Sequence, residues 1–244
     1  MDSYTERTYG ERIAGVYDQW YHEFNQAAIP ALVELAQGGE ALELGIGTGR
    51  IAIPLLNAGV TVHGIDASES MVAKLRTKPG GEKIPVSIGN FVDIPVDGKY
   101  SLIYIVFNTF YALLTQEEQV RCFQNVARHL KPEGVFVVEA FVPDMTRFIA
   151  GQTIRAVKIG DNEVQIDVSQ LEMDKQVVSS QHVLLTDQGT QFYPVQIRYV
   201  WPSEMDLMAR LSHLQLRQRW SNWEKADFTA ESRRHISIYE HEKK

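Results

Sequence analysis

Residues Leu42-Glu43-Leu44-Gly45-Ile46-Gly47-Thr48-Gly49-Arg50 restrict the folds open to this chain more than any other stretch of it. An apolar run enters three alternating glycines, and a helix-like segment follows. That order reads as a strand, a tight turn and the first turn of a helix. Residues without a Cβ reach left-handed dihedrals and let backbone approach a ligand closely. Gly64-Ile65-Asp66 follows about one strand–helix–strand unit later. It sets a carboxylate at the end of the second strand, where the two hydroxyls of a ribose can be accepted. A chain built this way opens a parallel sheet and cradles an adenosine-bearing ligand.

The same alternation continues downstream. Strands are expected near 41–44, 61–65, 84–88, 100–107 and 134–141, with helices near 50–57, 68–76 and 115–130. Ser68 is placed to cap the helix containing Met71. Thr115 with Glu118 makes a capping box ahead of an apolar face of Val120, Phe123, Val126, Ala127 and Leu130. Lys131-Pro132-Glu133-Gly134 then stops the helix. Upstream, Ile13, Val16, Tyr17, Trp20, Tyr21 and Phe24 recur at helical steps, and the break at Pro30 predicts two helices over 11–36.

Helical periodicity disappears between 153 and 200. Strand-like runs separated by Asp161-Asn162, Met173-Asp174-Lys175 and Asp187-Gln188-Gly189 predict an antiparallel meander of about four strands. A helix from Pro202, with Met205, Leu207, Met208, Leu211 and Leu214 as its apolar face, precedes two strands near 216–220 and 235–240. The expected architecture is α/β, a doubly wound and mostly parallel seven-stranded sheet. Residues 1–38 form a helical lid, 39–148 and 202–244 the core, and 149–201 an inserted antiparallel sheet. That sheet either covers a substrate or makes a homodimer contact.

Composition narrows the partners. Apolar residues at 44% and charged residues at 23% suit a soluble domain with a sizeable core. A net charge of −7, with only short clusters at Arg217 and Arg219 or Arg233 and Arg234, argues against nucleic acid. The single cysteine, Cys122, leaves no disulfide framework and no cysteine-paired zinc site. No apolar run nears the roughly 20 residues of a bilayer span, and residues 1–12 lack the core of a signal peptide. A cytoplasmic protein without a membrane partner is expected. The seven histidines lack metal-ligand spacing, and no metal is expected. His22 and His182 are candidate bases, although a surface or structural role is the commoner fate of such a residue.

The glycine turn also discriminates between ligands. A dinucleotide fingerprint is G-x-G-x-x-G, which makes room for a pyrophosphate at the helix N-terminus. Here the spacing is G-x-G-x-G, position 50 is a bulky arginine, and Glu43 precedes the loop. A carboxylate there is unfavourable beside a diphosphate and favourable beside a cation. S-adenosylmethionine (SAM) carries an ammonium and a sulfonium and has no pyrophosphate.

The segment resembles motif I of class I SAM-dependent methyltransferases, E/D-x-G-x-G-x-G, at Glu43, Gly45, Gly47 and Gly49. Asp66 resembles that family's ribose-binding acid. Gly89-Asn90-Phe91-Val92-Asp93 resembles the segment whose aspartate receives the adenine amino group. Phe107-Asn108-Thr109-Phe110-Tyr111 stands where the family approaches methionine and substrate. Val16-Tyr17-Asp18-Gln19-Trp20-Tyr21 resembles the Y-D-x-x-Y segment that small-molecule members fold over the cofactor. The insertion after the fifth strand resembles enzymes that methylate amino sugars and other secondary metabolites. The likeness is good over residues 40–141 and looser over 202–240.

This resemblance implies a Rossmann-like methyltransferase acting on a small molecule, with SAM as donor and S-adenosylhomocysteine as product. N-methylation is slightly favoured over O-methylation. The cofactor contacts it implies are Tyr17, Glu43, Gly45, Gly47, Gly49, Asp66, Asp93, Phe107 and Asn108. Tyr21 is implied near the reacting centre, where it acts by orientation or weak base help. Tyr111 joins it as a substrate contact, and Arg198 and Tyr199 are candidates from the wall of the inserted sheet. An NAD-linked oxidoreductase and a non-catalytic SAM-binding module are the alternatives.

Overall fold

The structure, a computed structural model, describes residues 4–243. Three short helices come first: α1 (Thr8–Ile13), α2 (Tyr17–Trp20) and α3 (Ala28–Ala36). This corrects the two helices expected over 11–36. Pro30 lies in the first turn of α3, where a missing N–H costs nothing, and the break falls ahead of that helix.

Strands and helices then alternate as β1 (Ala41–Leu44), α4 (Ala52–Asn57), β2 (Val62–Asp66), α5 (Glu69–Arg76) and β3 (Val86–Ile88). β4 (Tyr100–Ile105), α6 (Gln116–His129) and β5 (Leu130–Phe141) continue the pattern. Both expected caps form: Ser68 accepts the Met71 N–H, and Thr115 and Glu118 satisfy each other's backbone. A cap of this kind is worth about 1 kcal/mol. Next come β6 (Gln152–Ile159), β7 (Glu163–Glu172), β8 (Val177–Thr186) and β9 (Gly189–Arg198). α7 (Pro202–Leu211), β10 (Leu214–Trp220) and β11 (Arg234–His241) complete the order.

The seven-stranded sheet runs β10-β11-β5-β4-β1-β2-β3, with β11 antiparallel to both its neighbours and the remaining pairs parallel. Its strands alternate between two cores. Leu42, Leu44, Ile103, Ile105, Phe136 and Val138 pack on one face, and Ala41, Leu102, Tyr104, Val135 and Val137 on the other. With both faces buried, these strands read as continuous apolar runs. Strand order reverses about β1, between β4 and β2, and such a switch point opens a crevice at the carboxyl ends of the strands.

β6 to β9 form a separate antiparallel sheet in sequence order. Its Tyr193 and Leu184 pack with Ile13, Val16, Trp20 and Tyr21, so the N-terminal helices lie against the insertion. The apolar face of α7 needs correction. Met205, Met208 and Ala209 are buried, while Leu207 and Leu211 are 56% and 65% exposed. The buried trio has its own three-and-four spacing, which places those two leucines on the far side of the helix.

Candidate functional site

The three glycines of the turn all have positive φ, at 75°, 55° and 77° for Gly45, Gly47 and Gly49. Their surroundings separate their roles. A Cβ on Gly45 would lie 2.4 Å from Thr109, and one on Gly49 2.8 Å from Leu75. Those two glycines are required for packing. A Cβ on Gly47 would meet nothing within 4 Å, so this residue faces open space. That space belongs to a cavity lined by Tyr17, Glu43, Gly47, Thr48, Arg50 and Phe107, among others.

Asp66 stands at the end of β2 and ties the turn to the next helix. Its carboxylate accepts the Gly47 N–H at 2.7 Å and the Ser68 N–H at 2.9 Å. Burial nevertheless raises its pKa above the ordinary aspartate value. Each oxygen retains acceptor capacity for a ribose hydroxyl. Glu43, buried in β1, accepts the Tyr104 hydroxyl at 2.8 Å. Desolvation pushes Glu43 up to about 8, against the pull of Tyr104 and Arg50. A carboxyl in that condition is ionised by an arriving cation, so the donor set suits the ammonium and sulfonium of SAM.

Arg50 is the cavity residue that sequence reasoning passed over, noted only as a bulky side chain unsuited to a pyrophosphate. Its guanidinium lies 3.5 Å over the Phe107 ring. Nη1 donates to the Tyr21 carbonyl at 2.7 Å, and Nη2 to the Tyr17 hydroxyl at 3.1 Å. Nε is buried without a partner. The legible signal was a cation placed directly after the glycines and two acidic positions, with tyrosines upstream to receive it.

The N-terminal segment is fastened from several directions. Asp18 accepts from the Thr48 hydroxyl at 2.6 Å and pairs with Lys78 at 2.8 Å. Glu11 accepts from Ser68 and Ser70 at the start of α5. Tyr17 and Tyr21 have ring centroids 5.0 Å apart. Burial pushes Tyr17 up to about 12 and raises Tyr21 as well. A phenol shifted upward holds its proton more tightly.

Several expected contacts lie elsewhere. Asp93 pairs with Arg121 at 3.2 Å, with its side chain 64% exposed. The turn after Asn90, whose side chain accepts the Val92 N–H, brings Asp93 to Arg121 of α6. Phe91 lies beside the glycine turn instead, 3.9 Å from where a Gly45 Cβ would be. Phe107 lines the cavity, whereas Asn108 braces β4 to β5 by accepting the Phe141 N–H at 2.7 Å. Both residues have left-handed backbone, which turns consecutive side chains in different directions.

The substrate contacts expected at Tyr111, Arg198 and Tyr199 are corrected too. The buried Tyr111 hydroxyl sits between the carbonyls of Phe141 and Val200, at 2.8 and 3.0 Å. Arg198 is buried among Gln119, Gln176 and Glu204. Tyr199 packs in the core as the chain leaves β9 for α7. Of the two candidate bases, His22 is exposed and bonds the Gln19 carbonyl, while His182 pairs with Asp167 beneath Trp20. Among the described residues no cluster of three or more His, Cys, Asp or Glu is arranged to hold a metal ion.

The likeness to known proteins agrees with this geometry. A methyltransferase-domain family profile matches residues 41–134. The chain is 28% identical over 209 residues to the cypemycin N-terminal methyltransferase of a Streptomyces species, covering 83% of each. The structure of the CcbJ methyltransferase from Streptomyces caelestis superposes with a TM-score of 0.92 at 37% identity, over 98% of this chain and all (100%) of that one. SAM-bound CalS10, an amino pentose methyltransferase from Micromonospora echinaspora, superposes at 0.64 with 17% identity, over 99% of this chain and 93% of its own, a likeness of fold.

Proposed function

The chain belongs to the class I SAM-dependent methyltransferases, and we propose that it methylates the amine of a small molecule in the cytoplasm, without a nucleic-acid or membrane partner. The observation that carries this reading is the closure of Tyr17 and Tyr21, through Arg50, over the cavity that holds Glu43 and Gly47. When bound, SAM supplies an electrophilic methyl group on a sulfonium. The open side of Gly47 leaves room for it, Asp66 accepts its ribose hydroxyls, and Glu43 balances its positive charge. Tyr17 and Phe107 exclude water, and Tyr21 orients the acceptor, which favours near-attack geometry.

Residues 1–38 act as the lid, 39–148 and 202–244 as the SAM-binding core, and 149–201 as the acceptor cover. The packing of Tyr193 and Leu184 against the N-terminal helices supports the last assignment over a dimer contact. Amine acceptors are favoured because the relatives are named for an N-terminal methyl transfer and for an amino pentose. Among the described residues no helix is long and apolar enough to cross a membrane.

Calorimetric titration with SAM, S-adenosylhomocysteine and NAD tests the donor. Release of S-adenosylhomocysteine then tests the acceptor, with an amino pentose, a peptide with a free N-terminus, and the matched hydroxyl compounds. Turnover confined to amines is the expected result. Turnover of hydroxyls alone makes the chain an O-methyltransferase. SAM binding with no turnover in the panel reduces it to a binding module, and NAD binding alone to an oxidoreductase.

A further inference from the structure

Asp167 of β7 and His182 of β8 stand opposite each other in a row that crosses the inserted sheet as Arg155, Asp167, His182 and Tyr193. Opposed residues on neighbouring strands share a face, so these four side chains project together. That face is covered by the lid. Trp20 lies edge-on to His182, with centroids 6.3 Å apart, and to Tyr193, at 4.9 Å. The imidazole Nδ1 is 2.5 Å from one Asp167 oxygen, and Arg155 donates to the other at 3.0 Å. The two side chains of the pair are 16% and 17% exposed, which leaves them sheltered yet reachable.

Burial raises the Asp167 carboxyl, but the bonds from His182 and Arg155 outweigh it and hold the group below its ordinary value. An anionic Asp167 fixes the imidazole proton on Nδ1 and leaves Nε2 as an acceptor. The other charged or titratable groups around the pair are Arg147 beside Asp167 and Arg155, Tyr193 on β9, and Tyr21 on the lid. Trp20 and Tyr193, which flank His182, pack in one apolar cluster with Tyr17, and Tyr17 lines the cofactor cavity, so the pair lies beside that cavity's wall. A hydrogen-bonded polar pair of this burial adds little stability beyond what apolar packing would give. Its presence under the lid's Trp20 calls for a chemical role.

An alkyl ammonium has no lone pair, and at neutral pH it must lose a proton before it can attack a methyl group. Resting on the amine-methylating reading above, we propose that His182, oriented by Asp167, is the base that removes this proton. The acceptor ammonium gives its proton to Nε2. The freed nitrogen pair forms a bond to the methyl carbon as the carbon–sulfur bond breaks and its electrons stay on sulfur. Positive charge thereby passes from the sulfonium to the methylated nitrogen, and the imidazolium returns its proton to water.

The test compares the wild-type chain with His182→Gln and Asp167→Asn, at saturating SAM, on whichever of the amino pentose and the peptide amine is turned over. Near pH 7, His182→Gln lowers kcat by about 10²–10⁴-fold, the range for loss of a positioned base. The deficit shrinks as the pH approaches the pKa of the amine itself, because solvent then supplies the free base. Asp167→Asn gives a smaller loss, and both variants bind S-adenosylhomocysteine as the wild type does. A deficit equal at every pH marks a structural role and overturns the proposal, as does full activity of His182→Gln. Imidazole ¹⁵N spectra of the full chain bound to S-adenosylhomocysteine read the pair without any acceptor. The signal missing from His182→Gln should carry its proton on Nδ1, and a proton on Nε2 overturns the proposal. If neither amine is turned over by the wild type, the amine reading falls, and these spectra still decide for or against the oriented pair.

Discussion

Gly45, Gly47 and Gly49 have the same type and nearly the same φ, yet substitution should separate them. Gly49→Ala drives a methyl into Leu75 and should lower Tm. Gly47→Ala meets no neighbour, so it should cost only the left-handed strain of about 1–2 kcal/mol while greatly weakening SAM. Thermal melts and calorimetry of the two variants check this contrast; equal SAM affinity in wild type and Gly47→Ala would detach that glycine from the site. Glu43 yields a pH prediction. Its folded pKa is raised to about 8, so the ligand-free fold holds a proton there that the unfolded chain loses above the ordinary glutamate value. Stability from this group is full below the unfolded pKa and is lost as pH rises through about 8. Because a bound cation ionises Glu43, SAM binding near pH 7 should release a proton. Calorimetry in buffers of different ionisation enthalpy measures that release, and Glu43→Gln should abolish it.

Among the elements, the lid is held by side chains far apart in sequence. Asp18 reaches both Thr48 and Lys78, and Arg50 reaches back to Tyr17 and Tyr21. Asp18→Ala should raise the KM for SAM several-fold and speed proteolysis within residues 14–22, with little change in the melting of the core. Unchanged proteolysis would mean that the clamp does not hold the lid. Such long-range ties explain what the sequence could and could not convey. The Ser68 cap and the Thr115 box were legible because their partners are three residues away. Tyr111 and Arg198 were misassigned because Val200 and Gln119 come beside them only through the fold, and Arg121 reaches Asp93 in the same way. Leu207 and Leu211 misled for a related reason: helical spacing defines a stripe, and only packing chooses which stripe is buried.

At the scale of the molecule, the strand–helix alternation and the meander were both readable, since each repeats a local period. The contact between insertion and lid was not, because Trp20 and Tyr193 are separated by most of the chain. That contact predicts coupled protection. Binding of S-adenosylhomocysteine should slow amide exchange in residues 8–22 and in β8 and β9 together. Protection confined to the glycine turn would mean that the lid and the insertion move independently.

Tyr111 holds the carbonyls of Phe141 and Val200 with one hydroxyl, and those residues flank the whole inserted sheet. The insertion therefore hangs from a pinched neck, with one core side chain holding both its entry and its exit. Evolution can treat such a segment as an exchangeable cassette. A lineage that redrew this sheet while keeping the lid's seat at Tyr193 and Leu184 would change which molecules are modified and inherit the donor machinery, so one ancestral core could furnish a repertoire of enzymes.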